Sequence, residues 1–289
     1  MSKTLYVTDM DGTLLGPDSK ISRNTARIIT DLSEHGAIIT VATARTPATI
    51  EPLLCDTLTS GPAIVMTGAS LWNREQKKYL SPAFIEPVTA VTVRDVMESY
   101  GLAPFVYILP DDQVLRAFHP AELSAADRVF VDNRSNLELK KFIIGKEPDM
   151  ADNNSHCIIL FAMGQPQAVF DAAAELENLS VGCSISAYTD PCSGGIGVLE
   201  VKAPDTSKAN SVRMVADMVG ADRIVAFGDN INDLSMMAVA DVAVAVGNAV
   251  PRVLEAADKV IGTNETDSVA RFILSDFTET TTNSCGKHL

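Results

Sequence analysis

The sequence predicts an α/β protein whose doubly wound parallel sheet is interrupted by an inserted α+β domain. Three observations carry that expectation. Short apolar runs alternate with helical periodicity over residues 4–67. The middle of the chain replaces this alternation with closely spaced strand-like runs. After Gly197 the alternation returns. Strand, helix, strand in succession implies parallel pairing through right-handed crossovers, whereas strand neighbours with few helices between them imply an α+β unit.

The elements follow in order. Residues 4–8 form an apolar strand that stops at Asp9. Residues 22–35 set Ala26, Ile28, Ile29 and Leu32 along one helical face, with Ser22 suited to the N-cap and Gly36 to the stop. Residues 37–42 read as a second buried strand, 46–58 as a helix and 63–67 as a third strand. A helix over 88–100 then precedes two runs, 104–109 and 113–118, which flank Pro110-Asp111-Asp112 as a hairpin would. Residues 156–163 and 181–188 read as strands around a helix at 165–178. The Pro/Gly/Ser-rich stretch 190–197 suits a hinge or a hairpin turn. Helices are expected at 207–219, 232–239, 250–257 and 266–274, and strands at 223–227, 242–246 and 259–261. A polar tail from Thr278 is expected to fray. The economical division is a core of residues 1–81 and 193–289, with residues 82–192 inserted.

Composition bounds the function. The 289 residues suffice for two packed domains, and 46% hydrophobic with 21% charged residues excludes a disordered chain. A formal net charge of −14 repels nucleic acid and anionic membranes, so neither is an expected partner. A polyanionic substrate would then need a metal or a few local cations. Asp9 and Asp11 interrupt what would otherwise be an apolar leader, and the longest candidate span, 224–246, carries Asp229, Asp233 and Asp241. A soluble, cytoplasmic monomer or homodimer is the expectation. Five cysteines, odd in number and without C-x-x-C spacing, argue for free thiols and against a disulfide framework or a structural zinc site.

Two motifs carry chemistry. Asp9-Met10-Asp11-Gly12-Thr13 follows directly on the first strand. Ligand sites of open parallel sheets lie beyond the carboxyl ends of strands. Two carboxylates there repel unless a cation neutralises them or one holds a proton, and Gly12 lets the chain turn sharply after them. The plainer reading is a loop with two solvated aspartates. Gly228-Asp229-Asn230-Ile231-Asn232-Asp233 follows another apolar strand and opens a helix. Helix capping accounts for some of its Asn and Asp residues, but not for Asp229, which precedes the helix and is placed to ligate a metal. Two weaker features accompany them. Thr43, in Val41-Ala42-Thr43-Ala44-Arg45, could offer a hydroxyl and backbone N–H groups to a phosphate. Lys208 opens a helix and could supply a point charge. Each alone reads as a turn residue or a solvated lysine.

Together, and in this order, the four pieces resemble the haloacid dehalogenase superfamily. Asp9-x-Asp11-Gly12-Thr13, then Thr43, then Lys208, then Gly228-Asp229-x-x-Asn232-Asp233 correspond to its four motifs. An insertion between the second and third resembles the Cof-type branch with a subclass B, type C2 cap. Thr67-Gly68-Ala69 and Val246-Gly247-Asn248-Ala249 are also similar to that branch. The branch commonly has Gly where this chain has Ala44, and a Gly after the aspartate of the final loop where this chain has Ser268.

The resemblance implies a Rossmann-like core and a Mg²⁺-dependent phosphatase acting on sugar phosphates or similar small phosphorylated metabolites. It implies Asp9 as nucleophile and Asp11 as acid and then base. Mg²⁺ would be held by Asp9, Asp229 and the Asp11 carbonyl, with Asp233 orienting metal-bound water. Thr43, Arg45, Lys208 and Asn232 would bind substrate. The inserted cap would close over the core and select the substrate, with Arg116, His119, Arg128, Asp132 and Arg134 as candidates that ordinary solvation would also explain. Two alternatives share the architecture: a phosphomutase, and a ligand-sensing protein that keeps the fold without turnover.

Overall fold

The computed structural model describes residues 3–150, 156–190 and 194–285. The chain opens with strand β1 (Thr4–Thr8), helix α1 (Arg23–Glu34) and strand β2 (Ile38–Val41). Helix α1 starts where the sequence placed it, because the Ser22 hydroxyl accepts the Thr25 N–H at 2.9 Å. The expected helix at 46–58 is only one turn, α2 (Pro47–Ile50), followed by turns. Pro52 has no N–H to continue the helical ladder.

Strand β3 (Ala63–Val65) does not join the main sheet as expected. It touches it through one bridge, Ala42 to Ile64. Met66 and Thr67 then take positive φ (52° and 53°) and turn the chain back into β4 (Ser70–Asn73) and β5 (Lys78–Leu80), making an antiparallel three-stranded sheet. The Trp72 indole N–H reaches Glu51 at 2.7 Å, and the Arg74 guanidinium bonds Glu51 and the carbonyls of Leu54 and Thr57. Those bonds fasten the small sheet to the irregular segment after α2.

Residues Ser81–Thr206 form a second compact unit. It contains α3 (Pro87–Ser99), β6 (Phe105–Ile108), β7 (Leu115–His119), α4 (Ala125–Asp132), β8 (Lys140–Ile144), β9 (Cys157–Gly164), α5 (Pro166–Asn178), β10 (Ser184–Asp190) and β11 (Ile196–Lys202). Its six-stranded sheet runs β10-β11-β9-β6-β7-β8, antiparallel except for the parallel pair β7 and β8. Val106, Leu160, Ala162, Leu199 and Val201 on one face bury against Ala90, Val93 and Met97 of α3 and Val169, Ala172 and Leu176 of α5. The sequence reading ended the insert at Cys192 and resumed the core after Gly197. The compact unit instead continues to Thr206, because β11 pairs between β10 and β9. Cys192 and the residues beside it lie outside the described residues. Strand β8 and helix α4 were absent from the sequence reading, since residues 125–144 mix charged and apolar side chains without a clean period. Of the candidate cap residues, Arg116 pairs with Asp112 at 2.7 Å, while His119 is buried with Phe105 against its ring.

The first unit then resumes with α6 (Lys208–Val219), β12 (Arg223–Gly228), α7 (Leu234–Met237), β13 (Val242–Ala245), α8 (Pro251–Ala256), β14 (Lys259–Val260) and α9 (Ser268–Cys285). Its five-stranded sheet, β14-β13-β12-β1-β2, is parallel throughout. The closing helix runs past the expected fray point. Asp276 on α9 accepts bonds from Arg223 at 2.7 and 3.0 Å and from the Tyr6 hydroxyl at 2.8 Å, which ties the helix to β1 and β12. Among the described residues, no helix is long and apolar enough to cross a membrane, and Cys55, Cys157 and Cys183 are free thiols.

Candidate active site

Register places the acidic groups. Strands β1 and β12 are parallel neighbours in which Thr8 lies beside Phe227. Strand β12 ends one residue further on, at Gly228, so Asp9 and Asp229 emerge at nearly the same level although 220 positions separate them in the chain. The Asp9 N–H donates to the Phe227 carbonyl at 2.9 Å, which holds that level. On the other flank of β1, the Ala42 N–H donates to the Thr8 carbonyl at 2.8 Å and brings up Thr43 and Arg45.

Lys208 completes the centre. It occupies the first turn of α6, whose cap is the Ser207 hydroxyl, and its side chain is fully buried. Its ammonium donates to Asp9 Oδ1 at 2.5 Å and to Asp233 Oδ1 at 2.7 Å. Asp233, fully buried as well, accepts the backbone N–H groups of Asp229 (3.0 Å) and Asn230 (3.1 Å) through Oδ2. It therefore fixes both Lys208 and the loop that carries Asp229. Thr13 donates its hydroxyl to Asp229 Oδ1 at 2.9 Å. Gly12 sits at φ +80°, and a Cβ there would run into the Asp229 carboxylate. The glycine thus lets the Asp9–Thr13 turn close against its neighbour.

One carboxylate oxygen from each of Asp9, Asp229 and Asp233 lies within 4.8 Å of the others. A donor set made only of carboxylates suits a hard divalent cation. The electrostatics of the cluster fit the same group. Burial pushes Asp9 up to about 8 despite the opposing Lys208 charge, and Asp233 adds to the rise. Burial pushes Asp229 up to about 6 against the Thr13 hydrogen bond. Burial alone would lower Lys208, but Asp9 and Asp233 raise it. One ammonium facing three carboxylates leaves a surplus of negative charge that a cation would neutralise.

The remaining sequence candidates divide. Asp11 stands outside the acidic cluster, on the surface, and both its oxygens are held by Arg45 at 2.6 and 2.7 Å. Thr43 is buried, but its N–H donates to the Ile64 carbonyl at 2.9 Å and is not free for a phosphate as expected. Its hydroxyl accepts the Arg45 N–H at 3.2 Å, which leaves the hydroxyl proton to donate elsewhere. Asn232 is exposed on a short 3-10 turn. Asn230 and Asp233 do cap that turn, as the capping reading allowed.

Three positions escaped functional assignment from sequence: Thr13, Asn248 and Asn264. Asn248 donates to the Gly12 carbonyl at 2.7 Å and accepts the Asn264 N–H, and Asn264 donates to the Leu15 carbonyl. They brace the turn after Asp9 from a distant part of the chain. Thr13 and Asn248 gave a signal only as members of motifs in the family resemblance, and Asn264 gave none.

A family model described as haloacid dehalogenase-like hydrolase matches residues 6–273. Among curated relatives, the 5-amino-6-(5-phospho-D-ribitylamino)uracil phosphatase YitU of Bacillus subtilis is 26% identical over 94% of this chain and 97% of its own length. The pyridoxal phosphate phosphatase YbhA of Escherichia coli is 24% identical over 95% and 99%. Among solved structures, a haloacid dehalogenase-like hydrolase from Bacteroides thetaiotaomicron superimposes with a TM-score of 0.77 at 23% identity, covering 94% of this chain and 99% of the other. With the parallel sheet and the match over nearly its whole length, the chain belongs to the haloacid dehalogenase-like hydrolases.

Proposed function

We propose that the protein is a Mg²⁺-dependent phosphatase of small phosphorylated metabolites, working through a phosphoryl group carried on Asp9. The observation that carries the reading is the Asp9 carboxylate at the tip of β1, gripped by Lys208 at 2.5 Å beside Asp229 and Asp233. That grip occupies Oδ1 and leaves Oδ2 to attack phosphorus in line. The leaving alkoxide is a poor leaving group, so it takes a proton from Asp11. Asp11 then accepts a proton from the water that attacks the acyl phosphate, which releases inorganic phosphate and restores Asp9. To do so Asp11 turns away from Arg45, and the freed guanidinium can meet a phosphate oxygen. Lys208 and the Thr43 hydroxyl hold the transferring group, and Asp233 acts by fixing Lys208 and the Asp229 loop.

Asp9 and Asp229 would hold Mg²⁺. When bound, the ion supplies the positive charge that lets a carboxylate approach a phosphate, an approach opposed by roughly 4 kcal/mol at 4 Å for two unit charges in a dielectric of about 20. Two curated relatives are named for phosphate esters of small heterocycles, which supports small organophosphates as the substrate class here. A panel of such esters, assayed for inorganic phosphate with Mg²⁺ and after chelation, tests the reading. Stoichiometric release that disappears on chelation is expected. Isomerised phosphate ester without phosphate release would indicate a mutase, and inertness toward the whole panel would indicate a binder.

A further expectation concerns the turn. Gly12→Ala places a methyl group against Asp229 at a φ that alanine adopts only with strain. It should cost about 1–3 kcal/mol in stability. It should also weaken Mg²⁺ activation by roughly tenfold or more through the displaced carboxylate. Melting curves and a Mg²⁺ titration of the variant check both effects, and unchanged values would show that the close approach is dispensable.

A further inference from the structure

The second unit contains a buried cation that has no ion-pair partner among the described residues. Lys140 opens β8 and is 2% exposed. Alternation along the strands puts it on the sheet face opposite α3 and α5, with Tyr107, Phe105, Phe161 and Phe142. Its ammonium lies 4.7 Å from the centre of the Phe142 ring, 5.3 Å from Phe130 on α4 and 5.7 Å from Tyr107. Among the described residues, no carboxylate lies within ion-pairing distance of it. On this face Glu200 is already paired with Lys202 at 3.2 Å, and Asp127 of α4 lies 3.8 Å from His119.

Three rings lower the cost of burying an ammonium but do not replace its water shell, because each offers a weak quadrupole and not a full charge. Burial, reinforced by the Arg134 guanidinium, pushes Lys140 down to about 7. The Tyr107 hydroxyl, 4% exposed as a residue, likewise has no hydrogen-bond partner among the described residues. Burial also raises Tyr107, so it keeps its proton and can donate. Phe130, Phe142 and Phe161, on the same face, are only partly buried, and the Arg134 guanidinium lies 4.3 Å from the centre of the Phe130 ring.

We propose that Lys140 and Tyr107 form a binding site for a planar organic oxyanion, an aromatic or heteroaromatic ring that carries a negatively charged oxygen. The oxygen accepts from the Lys140 ammonium and the Tyr107 hydroxyl, and the ring packs on the Phe130 and Phe142 side chains. The proposal concerns the second unit alone and does not rest on the phosphatase reading.

The test is calorimetric titration of the full chain with 4-nitrophenolate, and with nitrobenzene as a neutral ring of similar shape. The wild type is expected to bind the anion and to bind nitrobenzene at least tenfold more weakly. Lys140→Met keeps side-chain length and apolar contact while removing the charge, and it should weaken anion binding tenfold or more. Tyr107→Phe, which removes one hydroxyl, should weaken it severalfold, and it keeps the test decisive if Lys140→Met does not fold. Absence of binding by the wild type, equal affinity for the two probes, or unchanged binding in a folded variant would overturn the proposal. Phosphate release by the wild type is measured separately; its absence would sink the phosphatase reading and leave the binding result standing.

Discussion

Asp9→Asn is expected to abolish turnover, lowering phosphate release by a thousandfold or more, while leaving the protein folded. The asparagine oxygen can still accept from Lys208, so the buried contact survives, but a neutral amide cannot attack phosphorus. The variant should also report the electrostatics of the acidic cluster. Asp9 is raised from 3.8 to about 8 in the fold, chiefly by burial. A carboxyl whose folded value lies above its unfolded value stays protonated longer in the fold. Its stabilising contribution is complete below the unfolded value and is lost as pH rises through the folded one. Without metal, wild-type stability relative to Asp9→Asn should therefore fall between about pH 4 and pH 8. Added Mg²⁺ should recover it for the wild type and much less for the variant. Thermal melts of both proteins across that range, with and without Mg²⁺, check the sign. Wild-type rates in the variant, without deamidation by mass spectrometry, would remove Asp9 from the mechanism.

Lys208→Met is expected to combine the next largest loss of activity with the largest loss of stability. Among the described residues, Lys208 is the one cation that contacts both Asp9 and Asp233, and none of the three side chains is more than 8% exposed. Removing one partner of a buried ion pair leaves the others uncompensated, at about 3–5 kcal/mol. Protonation of Asp9 would absorb part of that cost, so the loss should be smaller in mild acid. Activity should fall by about 10²–10⁴-fold, because the phosphoryl oxygens lose a fixed positive charge as well. Lys208→Arg should not restore it: a guanidinium is broader than the fully buried site and cannot place one nitrogen between two carboxylates. A melting temperature within a degree of wild type in Lys208→Met would contradict the bridging role.

How much of this was legible in the sequence depended on distance along the chain. Asp9 and Asp229 could be read because each follows an apolar strand, and a strand tip is a local property. The helix start at Ser22 was legible for the same reason. The stretch after Pro47–Ile50 is irregular where a helix is expected, because Pro52 has no N–H for the helical ladder. Residues 196–202 fell to the core through the division at residue 193 and were not read as a strand; only the pairing of β11 with β9 and β10 places them in the second unit. The free N–H expected of Thr43 is consumed by Ile64, a partner on a strand that the sequence reading had placed inside the main sheet.

Residue order by itself determined the alternation of strand and helix, the interruption by an inserted unit, and the acidic groups that end β1 and β12. Those features depend on neighbours a few residues away. Tertiary structure alone decided that Lys208 bridges Asp9 across 199 positions, that Arg45 holds Asp11, and that Lys140 lies among three rings. Such contacts are set by strand register and by which helix packs where. Those choices minimise the burial cost of the whole chain, and no local window of sequence encodes them.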